Sequence, residues 1–168
     1  SLTPSSPNLT TDSRVAYMCS RTGYYTWKHY DMWEFSTGSS AYCTSDKPIF
    51  KIEEILLNYA EAAWELGLFD QTVADKTINL LRDRAGVSPM NVSMITSDFD
   101  PMRDKGNALW WTGKGGKFGN YEVDPVLWEI RRERQIELFG EGFGFYDIRR
   151  WAKAAYYVNR QPCGMWIE

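Results

Sequence analysis

The sequence predicts a mainly α protein, a helical scaffold with long aromatic loops, on three observations. Residues 47–86 space their apolar side chains as helices do, with a glycine stop near the middle and another at the end. Residues 124–157 repeat that pattern on either side of a corner rich in glycine. The stretches 1–46, 87–123 and 158–168 hold many aromatics but no helical period.

Residues 1–14 are rich in Ser, Thr and Pro and read as irregular or extended. In residues 15–46, Tyr24, Thr26 and Lys28 alternate with Tyr25, Trp27 and His29, which suggests a short strand or extended run between Gly23 and Gly38. A helix is expected over 47–66, with Pro48 in its first turn and Gly67 at its end. Its polar stripe (Lys51, Glu54, Asn58, Glu61, Glu65) is narrow. The apolar remainder, including Ile55, Leu57, Tyr59, Ala60, Trp64 and Leu66, predicts burial around most of the circumference. Glu53 lies toward the apolar side and needs a partner or a path to solvent. Asp70 suits the cap of one further helix running to residue 85, whose face Val73, Ala74, Thr77, Ile78, Leu80, Leu81 and Ala85 is to be buried before Gly86 ends it. The short link 67–69 forces an antiparallel pair, in which Leu56, Tyr59, Ala63 and Trp64 should meet Val73, Ile78 or Leu81. One such pair cannot bury its own core, so it should stack on the helices at 124–157 and on others outside this chain.

Residues 87–123 are long for a structureless loop, and such loops are usually functional or disordered. A helix over 124–139, a corner at Gly140, Gly142 and Gly144, and a helix over 145–157 complete the scaffold; the tail 158–168 has no period. Val126, Leu127, Ile130 and Leu138 share one face of the first of these helices, together with Arg134, Glu137 and Glu141. Charges on an apolar face are costly unless paired. Asp147, Arg149 and Arg150 lie just beyond the corner, so these six residues predict a partly buried ion network that sets the helix crossing. Arg134 is expected to hold Glu137 or Glu141.

Composition narrows the function. The 168 residues suit one domain with a real core, and 43% hydrophobic and 24% charged content are ordinary for a globular chain. A net charge of −3 supplies no general basic field for nucleic acid. No run of about 20 apolar residues is present to span a membrane as a helix. Aromatic content is the outlier at 15%, with 8 Trp and 10 Tyr. Core packing explains aromatics, and so does carbohydrate binding, because sugar rings lay their C–H faces on aromatic rings. The three cysteines form no C-x-x-C pair, which argues against a zinc or redox site. An oxidising cell surface would permit a Cys19–Cys43 disulfide.

Residues 130–151 carry Ile130, Arg131, Glu133, Arg134, Glu137, Leu138, Glu141, Gly142, Asp147, Arg149, Arg150 and Trp151. This run strongly resembles the C-terminal signature of the SusD/RagB family, with Gln135 and Gly144 standing where that pattern has arginines. Residues 48–66 also resemble the family, with Lys51 in place of an arginine and Glu53 in place of a small residue. Pair length, Ala60, Ala63 and Pro89 resemble a tetratricopeptide unit. The resemblance implies a SusD-like helical fold. It also implies a non-catalytic, lipid-anchored protein of the outer-membrane surface that captures glycans beside a SusC-like TonB-dependent transporter. Family members begin with a lipoprotein signal and a lipidated cysteine, so this chain is expected to be the C-terminal part of a longer protein. No cofactor is implied.

The substrate site is expected at an aromatic platform of Trp110 and Trp111, with Tyr121, Trp27 and Trp33. Gly113, Gly115 and Gly116 leave room for a ligand there, and Asn107, Lys114 and Asn120 offer hydrogen bonds to hydroxyls. Core packing is the competing account for each ring. Other chemistries fit less well. Carboxylates at 53–65 and 129–141 could hydrolyse glycosides, but helix-surface charge and interhelix pairing explain them. His29 is the single histidine, so a di-metal bundle fails and a Ser–His–Asp triad has no support. Residues 113–119 lack the G-K-[ST] of a phosphate loop. Asp98, Asp100 and Asp104 lack the spacing of an EF-hand. A glycan-active hydrolase and a helical protein–protein adaptor are the alternative functions.

Overall fold

Side-chain caps and glycines set the helix ends. The computed structural model describes residues 49–106, 121–154 and Tyr157, all within the compact unit Pro48–Arg160. The expectations for residues 1–48, including His29, Pro48 and a Cys19–Cys43 bond, and for the tail lie outside the described residues. Helix α1 spans Ile52–Glu65, with Glu53 and Glu54 in the first turn, where the helix dipole favours acids. Its end is a Schellman turn. Gly67 at φ +69 lets its own N–H reach Trp64 O at 2.9 Å and Leu68 N–H reach Ala63 O at 2.8 Å.

The single helix expected over 70–85 is two helices, α2 at Gln71–Lys76 and α3 at Ile78–Ala85. Asp70 caps α2, accepting from Val73 N at 2.8 Å. The break falls at Thr77, whose backbone leaves helical geometry at φ −127, ψ −89. Its hydroxyl donates to Val73 O at 2.6 Å, the back-bond by which threonine competes with the helix ladder. The break leaves Thr77 and Ile78 fully buried but turns Leu80 and Ala85 outward.

The pair is antiparallel, since Arg84 near the end of α3 bonds Glu53 near the start of α1. Leu57 and Ala60 meet Ala74, Ile78 and Leu81 in the core, with Leu56 and Trp64 half-buried against them. Tyr59 corrects the expectation: it is 55% exposed, as are Ile52, Ile55 and Leu66 to similar or greater degree. Helix α1 is therefore buried along one face of Leu57, Ala60, Glu61 and Ala63, not around most of its circumference.

The first half of the long connection is folded onto the pair. Asn79 and Gln71 hold Met90 through its backbone, Asn79 Oδ1 accepting from Met90 N at 2.6 Å and Gln71 Nε2 donating to Met90 O at 3.0 Å. A 3-10 turn follows at Val92–Met94. Helix α4 spans Pro125–Glu137, capped by Asp124, which accepts from Val126 N at 2.9 Å and Leu127 N at 3.1 Å. Ile130 and Leu138 place α4 against the same core. After the corner, α5 covers Phe143–Arg150, shorter than the 145–157 expected. It takes in Gly144 and stops because Ala152 turns left-handed at φ +53, with Lys153 N–H bonding Ile148 O at 3.0 Å.

Candidate functional site

Two constellations stand out on this scaffold: a buried charge network where α1, α4 and α5 meet, and the contacts that join residues 103–106 to residues 121–123. In the network, Arg134 is 4% exposed and its Nε donates to Asp147 Oδ2 at 2.8 Å. Its Nη1 donates to Asn58 Oδ1 of α1 at 2.8 Å. Arg150 spans Asp147 Oδ1 at 2.8 Å and Glu61 Oε2 at 2.5 Å. Burial alone would lower the Arg150 pKa, but Glu61 and Asp147 hold it above its ordinary value. Glu61 Oε1 also accepts from Trp151 Nε1 at 2.7 Å.

Glu137 and Glu141 correct the expected pairing. Arg84 holds Glu137 at 2.7 Å and Lys51 holds Glu141 at 2.7 Å, so both carboxylates tie α4 and the corner to the first helix pair. Arg134 points past them to α5 and α1. Arg149 is exposed, its guanidinium 5.5 Å over the Phe145 ring. Glu61 and Asn58, placed on the polar stripe by sequence, are network members. Glu61 stands four residues from buried Leu57, a spacing that could have shown it facing the core.

At the loop base, Lys105 and Glu122 form an isolated antiparallel bridge, and Val123 N–H donates to Asp104 O at 3.0 Å. Gly106 sits at φ +77, and a Cβ there would lie 3.0 Å from Glu122 N, so both conformation and space require glycine. Buried Arg103 donates to Val123 O at 2.6 Å and pairs with Glu122 at 2.7 Å. Lys153 and Asp104, each with a side chain 3% exposed, lie 2.8 Å apart in an ion pair. Lys153 also donates to Tyr121 O and stands 3.6 Å over the Tyr121 ring. Tyr121 OH donates to Trp151 O at 2.5 Å, leaving the residue 42% exposed. Tyr121 is thus tied to the end of α5 and to Lys153. Trp110, Trp111, Trp27 and Trp33 lie outside the described residues. Asp98 pairs with Lys105 at 3.0 Å and Asp100 accepts from Trp128 Nε1 at 2.7 Å. Among the described residues no group of His, Cys, Asp and Glu is placed to hold a metal ion.

Two adjoining pockets follow α4. One, of about 210 Å³, is lined by Asp100, Trp128, Arg131, Arg132, Gln135 and Tyr157. The other, of about 250 Å³, lies at the glycine corner against Leu138, Phe139, Phe143 and Ile148. Gln135 and Tyr157 line both and hydrogen bond to each other. Gln135 and Gly144, the positions where the signature has arginines, both border the corner pocket.

Helices stitched together by interhelix ion pairs around a small apolar core define a mainly helical scaffold among the described residues. The chain belongs to the SusD family, whose sequence profile matches residues 4–165. It has the SusD-like, mainly helical fold. That family comprises glycan-binding proteins of nutrient uptake, typically non-catalytic and generally lipoproteins of the outer-membrane surface. No curated protein and no solved structure matches the chain.

Proposed function

We propose that this chain binds an oligosaccharide or polysaccharide at the outer-membrane surface and delivers it, unbroken, to a SusC-like TonB-dependent transporter. A lipid anchor of the kind general in its family holds it there. The observation that carries the reading is that both residues flanking positions 107–120 are pinned. Gly106 packs on Glu122, while Tyr121 is held by Lys153 and Trp151. Rigid elements that fix both ends of a loop make it a platform for binding side chains. The sequence between the clamps supplies Trp110 and Trp111 among glycines, lysine and asparagine. With Tyr121 these indoles stack on sugar rings, and Asn107, Lys114 and Asn120 fix orientation through hydroxyls.

Calorimetric titration of Trp110→Ala and Trp111→Ala against a polysaccharide panel tests the platform. At least one should lose about 2 kcal/mol of affinity, a typical aromatic hot-spot loss, with little change in Tm. Equal affinities, or unfolded variants, return the indoles to the core. Incubation with the same panel should release no reducing sugar. Capture of a protein partner by a chain without glycan affinity would favour the adaptor.

A further inference from the structure

Helix α1 carries an apolar seam that a single copy of the chain leaves open. Ile52, Ile55, Tyr59, Ala62 and Leu66 are exposed, the four larger ones by more than half. Their spacing is three, four, three and four residues, the a/d repeat of a two-helix seam. Leu66 belongs to it because the C-cap keeps right-handed helical geometry. Leu57 and Ala60 fill the core on another face, so the seam needs a second element to cover it. Ile49 and Phe50, 84% and 85% exposed, carry the apolar surface past the helix start. A surface this continuous marks an interaction site, unlike apolar residues exposed singly.

Three features say what covers it. The first is its border. One flank holds Lys51, Asn58 and Glu65, and Lys51 is taken by Glu141 at 2.7 Å. A helix that lies on a membrane surface is instead rich in Lys and Arg beside its apolar face. Neither pocket along α4 is lined by α1, so the seam suits a helix and not a small ligand in a cleft.

The second feature is self-complementarity. When two copies of α1 run antiparallel about a two-fold axis, the a positions of one meet the d positions of the other. Tyr59 then lies over Ala62 of the second copy and Ala62 under its Tyr59, large against small. Ile55 meets Leu66 in both directions. Asn58 and Glu65 share a flank, so each copy's Asn58 amide faces the other's Glu65 carboxylate. Asn58 Oδ1 accepts from Arg134 Nη1 at 2.8 Å, which leaves its Nδ2 as the donor for that contact. The third feature is area. The exposed parts of Ile49, Phe50, Ile52, Ile55, Tyr59 and Leu66 come to something on the order of 800 Å², about one partner's share of a standard interface.

We propose that α1 is the interface of a two-fold dimer of this chain, closed along the seam from Ile52 to Leu66. The proposal is independent of the glycan-binding reading. It explains why the sequence makes α1 apolar around most of its circumference while one copy buries a single face.

Sedimentation velocity of the full chain, from micromolar to near-millimolar concentration, tests the dimer. Wild type should pass from monomer to dimer with no larger species, because a two-fold seam closes on itself. Ile55→Glu should raise the dissociation constant at least tenfold and keep the near-UV spectrum, since residue 55 lies outside the core. Tyr59→Ala and Ala62→Tyr test the register. The first leaves a gap over Ala62 and the second sets tyrosine against tyrosine, so each should weaken the dimer at least tenfold. Together they exchange the large and small positions and should restore it. A wild type that stays monomeric, an Ile55→Glu dimer as tight as wild type, or a double variant no tighter than the single ones overturns the proposal.

Discussion

Arg134 reaches across three helices from a site 4% exposed, to Asp147 on α5 and Asn58 on α1. Removing one member of a buried pair strands the other, so Arg134→Ala should cost about 2–4 kcal/mol in denaturant unfolding. The carboxylate that loses a partner is Asp147, which keeps Arg150 at 2.8 Å, and an Arg134–Asp147 double-mutant cycle should show a coupling of about 1–3 kcal/mol. A single-mutant loss below about 0.5 kcal/mol would mean that Arg134 is solvated. Ala152 is a residue-scale cost of the opposite kind. It is the non-glycine residue at positive φ among those described, at +53. The left-handed region costs an L-residue roughly 1–2 kcal/mol, part of which glycine gives back as unfolded-state entropy. Ala152→Gly should therefore raise stability by about 0.5–1 kcal/mol, and a lowered Tm would refute the strain.

At the scale of elements, the left-handed turn at Ala152 is kept because of what it places on either side. Trp151 goes to Glu61 in the network, and Lys153 goes to Asp104 at the loop base. One short turn thus links the helix crossing to the contacts around Asp104 and Tyr121. Lys153→Met should leave Asp104 buried without its cation and cost about 3–5 kcal/mol. Pairing it with Asp104→Asn should recover much of that loss, because the uncompensated charge is gone. If the double variant is no better than the single one, packing of the lysine stem, and not the ion pair, holds the base. The Thr77 break is the other element-scale device, since it lets Arg82 on α3 reach Glu133 of α4 at 2.8 Å while Ile78 stays in the core.

Across the whole described unit, carboxylates and cations stitch helices that share a small apolar core. Glu53 illustrates the pH consequence. A hydrogen bond from its own backbone N–H, then Arg84 and Lys51, hold its pKa below the ordinary glutamate value against the effect of burial. Gln71 and Asn79 lower Asp75 in the same way. Both groups have a folded pKa below the unfolded one. Their contribution is therefore complete above the unfolded pKa and is lost as pH falls through the folded value. Stability should be flat from neutral pH to about pH 5 and decline below it, and Glu53→Gln should make that decline shallower. Equal acid slopes for wild type and variant in urea melts at stepped pH would exclude Glu53 as a contributor.

The sequence by itself determined the helical class and the family, though not the break at Thr77 or the bounds of the last helix. Those features are local: apolar spacing, the caps Asp70 and Asp124, the stop at Gly67, and a signature running from Ile130 to Trp151. It also showed that Arg134 lies on an apolar face, because helical spacing alone places it there. Only the tertiary structure decided which charges meet. Arg134 finds Asp147 and Asn58, and Glu137 finds Arg84, because ion pairs are chosen by helix crossing and not by spacing along one helix. The same holds for burial. Tyr59 and Leu80 are apolar at helical spacing yet exposed, while Glu61 is buried, since a face becomes a core only when another element covers it. That Lys153 meets Asp104 carried no sequence signal, because a partner far along the chain is visible only after the chain has folded back on itself.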